Sequence, residues 1–95
     1  MKKSMLLIVN PKAGKGTIQR KLPKIIKNFN KKEYELKTIY TKINYKPADI
    51  IKDNGEKWDL IVCCGGDGTL NELINAVMKL EERPQIGFIP LRNYE

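Results

Sequence analysis

The 95-residue sequence contains no histidine. That absence excludes a Ser-His-Asp triad, a histidine general base and the usual zinc centres from within the chain. Its only cysteines, Cys63 and Cys64, are adjacent, so they build no disulfide framework and lack the spacing of metal ligands. Long hydrophobic runs are missing too. The longest are the five residues of Met5–Val9 and of Leu60–Cys64, against the roughly 18 that a membrane-spanning helix needs. The opening Met1-Lys2-Lys3 and the first of these runs have neither the apolar length nor the small-residue cleavage site of a signal peptide. A cytoplasmic location is therefore expected. Acids are absent from the first third: residues 1–32 carry ten Lys and Arg and no Asp or Glu, whereas residues 33–95 carry eight against eleven acids.

The net charge of +7 is thus an N-terminal property. It fits an anionic partner (phosphate, nucleic acid or a lipid surface) or equally a solvated, Lys-rich helix face. Aromatic residues are few, and Phe29 alone falls within residues 1–32. It belongs to an apolar helix stripe, so platforms for base stacking are missing and nucleic acid is not the expected partner.

With 41% hydrophobic and 31% charged residues, the chain has the composition of one globular domain, 1–95. Ser4–Val9 is a β-favouring apolar run stopped by Asn10-Pro11, which reads as a strand buried on both faces. Ile18, Leu22, Ile25, Ile26 and Phe29 then fall on one helix face, with Pro23 expected to kink or restart that helix. Glu33–Thr41 alternates, placing Tyr34, Leu36, Thr38 and Tyr40 on one side, and fits an edge strand. Lys46–Gly55 reads as a short helix with Ala48, Ile50 and Ile51 as its apolar contacts and Gly55 as its stop. Trp58–Cys64 is a second buried strand. Thr69 and Glu72 have the spacing of a capping box ahead of Leu70, Leu73, Ile74, Val77 and Met78, and Gln85–Ile89 reads as the last strand. This β-α-β-α-β-α-β order, with connections long enough for parallel crossovers, predicts an open α/β sheet with helices on both faces.

Both buried strands end in glycine-containing loops that lead into helices. If the strand order is 2-1-3-4, these loops share one crevice at the carboxyl ends of the strands, where helix N-termini favour phosphate. In Gly65-Gly66-Asp67-Gly68-Thr69 the glycines allow positive φ and close approach of a ligand. Asp67 repels phosphate, and suits that site if it orients a ribose hydroxyl, holds a metal ion bridging to phosphate, or meets a cation from elsewhere. A plain tight turn with a solvated Asp67 fits the pattern as well. In Asn10-Pro11-Lys12-Ala13-Gly14-Lys15-Gly16, Asn10 can donate and accept, Gly14 and Gly16 leave room, and Lys12 and Lys15 add positive charge. Neither loop is a P-loop or a dinucleotide fingerprint.

Asn10-Pro11-Lys12-Ala13-Gly14 after the first strand, and Gly65-Gly66-Asp67-Gly68-Thr69-Leu70-Asn71-Glu72 after the third, resemble the catalytic domain of the diacylglycerol kinase family, the bacterial lipid kinases in particular. The eight-residue string is specific in this context. Its first five residues are shared more widely, with NAD kinases and, in altered form, with sphingosine kinases and phosphofructokinases. The resemblance covers essentially the whole chain and implies a Rossmann-like sheet of about four strands, of the NAD kinase and diacylglycerol kinase type. It implies ATP and Mg2+ as cofactors, and a lipid hydroxyl, that of diacylglycerol first, as acceptor at a membrane surface, with the protein peripheral to the inner face.

Carried over residue by residue, the resemblance makes Asn10, Pro11, Lys12, Ala13 and Gly14 part of the ATP site. Thr41 becomes a nucleotide contact, and Gly65, Gly66, Asp67, Gly68, Thr69, Leu70, Asn71 and Glu72 become the holders of nucleotide phosphate and ribose. Asp67 is the candidate for orienting metal or nucleotide. No residue is assigned as general base, and metal ligands are not specified. Members of the family continue after the fourth strand with Pro-x-Gly-Thr-x-Asn-Asp, where this chain has Pro90-Leu91-Arg92-Asn93-Tyr94-Glu95, and they carry a second, β-rich domain. The expectation is a truncated N-terminal nucleotide-binding domain, inactive alone and prone to self-association. Two other readings stay open: a NAD-kinase-like phosphotransferase, and a non-catalytic module that uses the basic first third on an anionic membrane or nucleic acid.

Overall fold

A strand can be apolar at every position only if both of its faces are covered, and the two continuous apolar runs occupy the centre of the sheet. The computed structural model describes residues 2–54 and 58–91. It contains four parallel strands, β1 (Lys3–Val9), β2 (Tyr34–Tyr40), β3 (Leu60–Gly65) and β4 (Gln85–Pro90), in the order β2-β1-β3-β4. Three helices connect them: α1 (Ile18–Lys31), α2 (Pro47–Asn54) and α3 (Asp67–Val77). The expected α/β class, four-strand parallel sheet and 2-1-3-4 order are all present.

Alternation along the strands separates two cores. Met5, Leu7, Val9, Val62 and Cys64 face Ile18 and Leu22 of α1, and Leu6, Ile8, Ile61 and Cys63 face Ile50 and Ile51 of α2 and Leu73 and Val77 of α3. Phe29 meets Tyr34 edge-on at 5.8 Å between ring centroids. This locks the end of α1 to the edge strand, an arrangement favoured by the ring quadrupoles. At the opposite end of the strands from the glycine loops, Asp59 Oδ2 accepts from the Ser4 backbone N–H at 2.7 Å and from the Ser4 hydroxyl at 3.3 Å. The Asp59 N–H returns a bond to Ser4 Oγ at 3.1 Å.

Several local expectations are corrected. Pro23 does not restart α1, which runs unbroken through it. The ring removes one backbone bond but sits on the exposed side, leaving the apolar stripe free to follow the sheet. Glu33 is not part of the second strand. It adopts φ 64° just past the end of α1, and its N–H bonds to the Asn30 carbonyl at 3.1 Å, closing the helix through a left-handed residue. Ala48 is exposed, and Pro47 joins Ile50 and Ile51 on the buried side of α2. The proposed stop at Gly55 lies outside the described residues, as does the departure at Arg92–Glu95.

Candidate functional site

Parallel pairing carries the ends of the four strands to one rim of the sheet. Beyond the strands, the Asn10 N–H bonds to the Cys64 carbonyl at 2.9 Å, Thr41 N–H to Val9 at 2.8 Å and Leu91 N–H to Gly65 at 2.9 Å. The two glycine loops are therefore neighbours, joined by side chains: Asn10 Nδ2 donates to Thr69 Oγ1 at 3.3 Å. Asn10 Oδ1 accepts from the Lys12 N–H at 3.1 Å, and its carbonyl accepts from Ala13 at 3.1 Å. Asn10 thus folds its own loop while holding the facing one. The loop continues as a 3-10 turn, Ala13–Gly16, into α1. Gly14 has φ 59°, a left-handed conformation that a side chain resists.

The second loop works differently from expectation. Gly66 is extended (φ −93°, ψ −179°) and stands at the N-cap of α3, and Gly14 supplies the only positive glycine φ among the described residues. Positive φ is not what this loop requires; space is. A Cβ on Gly65 would lie 3.3 Å from Thr69 Cβ and 3.4 Å from Asn10 Cβ, so any side chain there would crowd the Asn10–Thr69 contact. Gly66 and Gly68 have nothing within 4 Å of such an atom, which leaves their backbone open to approach from outside. The capping box is not formed. α3 begins at Asp67, which makes Thr69 its third residue, and no side chain caps the helix. Thr69 uses its hydroxyl on Asn10 instead, and the first N–H groups of α3 keep the free valences and positive dipole end of a helix N-terminus.

A cleft of ≈ 240 Å³ lies at this rim, lined by Asn10, Pro11, Lys12, Thr41, Lys42, Ile43, Lys46, Pro47, Thr69 and Glu72. Six of the residues named from sequence come together there: Asn10, Pro11, Lys12, Thr41, Thr69 and Glu72. Asp67, Gly68, Leu70 and Asn71 instead line a shallow hollow with Ile74 on another side of α3. Asp67 is exposed, Ala13 packs against the α1-side core, and Gly14 and Gly65 are buried. Lys42, Ile43, Lys46 and Pro47 were missed. Their signal was available, since they directly follow the end of an edge strand predicted to lie beside the first loop. Three lysines against Glu72 make the cleft cationic, suited to an anionic ligand. Its volume is below the roughly 300–1,000 Å³ of pockets that enclose a drug-sized molecule, so this cleft alone has room for only part of a ligand of that size.

Among the described residues no group of three or more His, Cys, Asp or Glu side chains is placed to hold a metal ion. No helix of the described residues is long and apolar enough to cross a membrane. Burial pushes the Cys63 thiol up to about 11 and, with Cys63 adding to it, that of Cys64 to about 12. Both remain protonated at neutral pH and far less nucleophilic than a thiolate.

A family model described as the diacylglycerol kinase catalytic domain matches residues 4–91. Diacylglycerol kinase of Staphylococcus aureus (strain JH9) is 35% identical over 92 residues, covering 96% of this chain and 29% of that protein. The crystal structure of a diacylglycerol kinase from Bacillus anthracis str. Sterne superposes with a TM-score of 0.83 at 36% identity, covering 95% of this chain and 33% of that one. The chain spans about a third or less of the relatives it matches.

Proposed function

The chain belongs to the diacylglycerol kinase catalytic-domain family, and from that premise we propose that it is the nucleotide-binding part of a kinase that transfers the γ-phosphoryl of ATP to a lipid hydroxyl, diacylglycerol being the first candidate. The observation that carries this reading is the Asn10–Thr69 bond. It sets the basic first loop against the uncapped start of α3, so that cations and helix N–H groups face one anionic ligand.

Phosphoryl transfer is mainly positioning and neutralisation of charge. In this reading Lys12, with Lys42 and Lys46 across the cleft, neutralises the polyphosphate. The backbone of Gly66, at the N-cap of α3 and screened by no Cβ, approaches its oxygens. Asn10 and Thr69 hold the two loops at a set separation, and Thr41 closes the edge nearest β2. Asp67, exposed at the first turn of α3 and outside that cleft, orients the part of the nucleotide that passes over that side of the helix, either its ribose or a divalent ion that arrives with it. Magnesium, when bound, supplies charge neutralisation between the phosphates. The acceptor proton needs a base from outside the residues assigned here. The isolated 95 residues are therefore expected to bind MgATP weakly and to transfer nothing measurable.

Titration calorimetry with MgATP tests the site on the wild type, Asp67→Ala and Gly66→Val. Loss of heat in Gly66→Val and a weakened response in Asp67→Ala are expected; equal heats from all three would abolish the pocket. Phosphorylation of diacylglycerol by the chain alone would overturn the division of labour.

A further inference from the structure

The far rim of the sheet, where the four strands begin, has a hollow of its own. At ≈ 340 Å³ it is larger than the cleft at the glycine loops, and its lining includes Lys3, Tyr34, Trp58, Asp59, Arg83 and Gln85. Lys3, Tyr34 and Gln85 are the first residues of β1, β2 and β4, and Trp58 and Asp59 lead into β3. β1 rises about 20 Å from Lys3 to Val9, so a small ligand at this rim does not reach the cleft.

The lining side chains are held from behind. The Trp58 indole N–H donates to the Asn54 carbonyl, and its ring packs against the core beneath α2 and α3. Tyr34 is fixed edge-on by Phe29. Arg83 Nη2 donates at 2.9 Å to the carbonyl of Met78, the C-cap of α3. A cation suits a helix C-terminus, and taken alone that contact makes Arg83 a simple cap. It uses one of five guanidinium N–H groups and leaves the others for a ligand.

Charge then selects the ligand. Lys3 and Arg83 have no carboxylate partner among the described residues. Asp59 Oδ2 is turned to the Ser4 N–H and hydroxyl, and its charge offsets one of the two cations. The surplus is a single positive charge, which matches a monoanion rather than a polyphosphate. Two half-buried rings beside a planar guanidinium offer apolar faces that a bare carboxylate leaves unused. The volume lies at the lower end of the roughly 300–1,000 Å³ of small-molecule sites.

We propose that this rim binds a small aromatic carboxylate, with its ring against Trp58 and Tyr34 and its anionic end on Arg83 and Lys3. The site shares no lining residue with the cleft, so it stands apart from the nucleotide reading.

Trp58 is the only tryptophan of the chain and lines the hollow, so its fluorescence reads this site. Titration of the full chain with phenylacetate should give a saturable change with a midpoint of about 1 mM. Neither acetate nor benzyl alcohol should reproduce it. In heteronuclear NMR the Trp58 indole, Arg83 and Gln85 signals should move with the same midpoint while those of Asn10 and Thr69 stay in place. Arg83→Gln should weaken binding about tenfold and Lys3→Gln about threefold, with circular dichroism reporting that both are folded. Saturating MgATP should leave the midpoint unchanged. Flat fluorescence together with unmoved NMR signals overturns the proposal. So does an equal response to benzyl alcohol, which would mark a plain apolar contact, or undiminished affinity in Arg83→Gln. Competition by MgATP would place the carboxylate in the nucleotide cleft and overturn it as well.

Discussion

Asn10 and Thr69, 59 positions apart in sequence, share a side-chain hydrogen bond of 3.3 Å that joins the end of β1 to the first turn of α3. This bond makes one cleft of two loops that are otherwise separate strand-to-helix turns. Its contribution can be isolated. Asn10→Ala and Thr69→Val should each cost about 1 kcal/mol in urea unfolding, and the double variant should cost less than the sum, leaving a coupling near 0.5–1 kcal/mol. Strictly additive losses would mean that the bond does not form in solution.

Gly65 lies under that bond, and Gly66 and Gly68 do not. Gly65→Ala forces a methyl to 3.3 Å from Thr69 Cβ and 3.4 Å from Asn10 Cβ, an overpacking expected to cost about 1–2 kcal/mol. Gly66→Ala meets no neighbour but stands at the N-cap of α3, where alanine is the poorer residue, so it should cost about 0.5 kcal/mol. Gly68→Ala sits inside α3 with equal room and should be neutral or stabilising by up to about 1 kcal/mol. Equal losses at all three positions would contradict this packing.

Glu33 holds φ 64° immediately after α1, where glycine is the favoured residue. Glu33→Gly should raise stability by about 0.5–1 kcal/mol, a gain of some 2–8 °C in Tm for a domain of this size by differential scanning calorimetry. A drop in Tm would show that the strain is already relieved in solution.

Burial holds the thiols of Cys63 and Cys64 near 11 and 12, against the usual value of 9. Above pH 9 the unfolded chain releases these protons first, so the folded state binds more protons and stability falls as pH rises from about 9 towards 11. Below pH 9 this contribution does not change. Urea midpoints measured from pH 7 to 10.5 should stay level and then decline, and Cys63→Ala/Cys64→Val should flatten the decline. Iodoacetamide should label neither thiol in the folded protein at pH 8 and both in urea.

Much of the architecture was readable because it depends on short-range pattern. Met5–Val9 and Leu60–Cys64 have no polar face to present to water, so they had to be central strands. The β-α alternation then left a parallel sheet as the economical solution. Element ends were less legible. Thr69 and Glu72 carry a capping-box spacing, yet α3 starts three residues earlier because Gly66 can take the N-cap without a side chain. Pro23 reads as a helix breaker, but one missing bond on an exposed face is outweighed by the apolar contacts of Ile18, Leu22, Ile25 and Phe29 on the other side.

The candidate site divides in the same way. Its glycine loops, its lysines and the family likeness are properties of the linear chain. Which of those residues share a cleft is not, because neighbours across a parallel sheet are set by hydrogen-bond register between distant segments. Once β1 lies between β2 and β3, Lys42, Ile43, Lys46 and Pro47 are drawn into the cleft with Asn10 and Thr69, and Asp67 turns to a different side of α3. Composition and periodicity settled the strands, the helices and the sign of the charge. Only tertiary packing decided that Asn10 meets Thr69 over a bare Gly65, since that contact depends on a few ångströms of clearance that no one-dimensional pattern records.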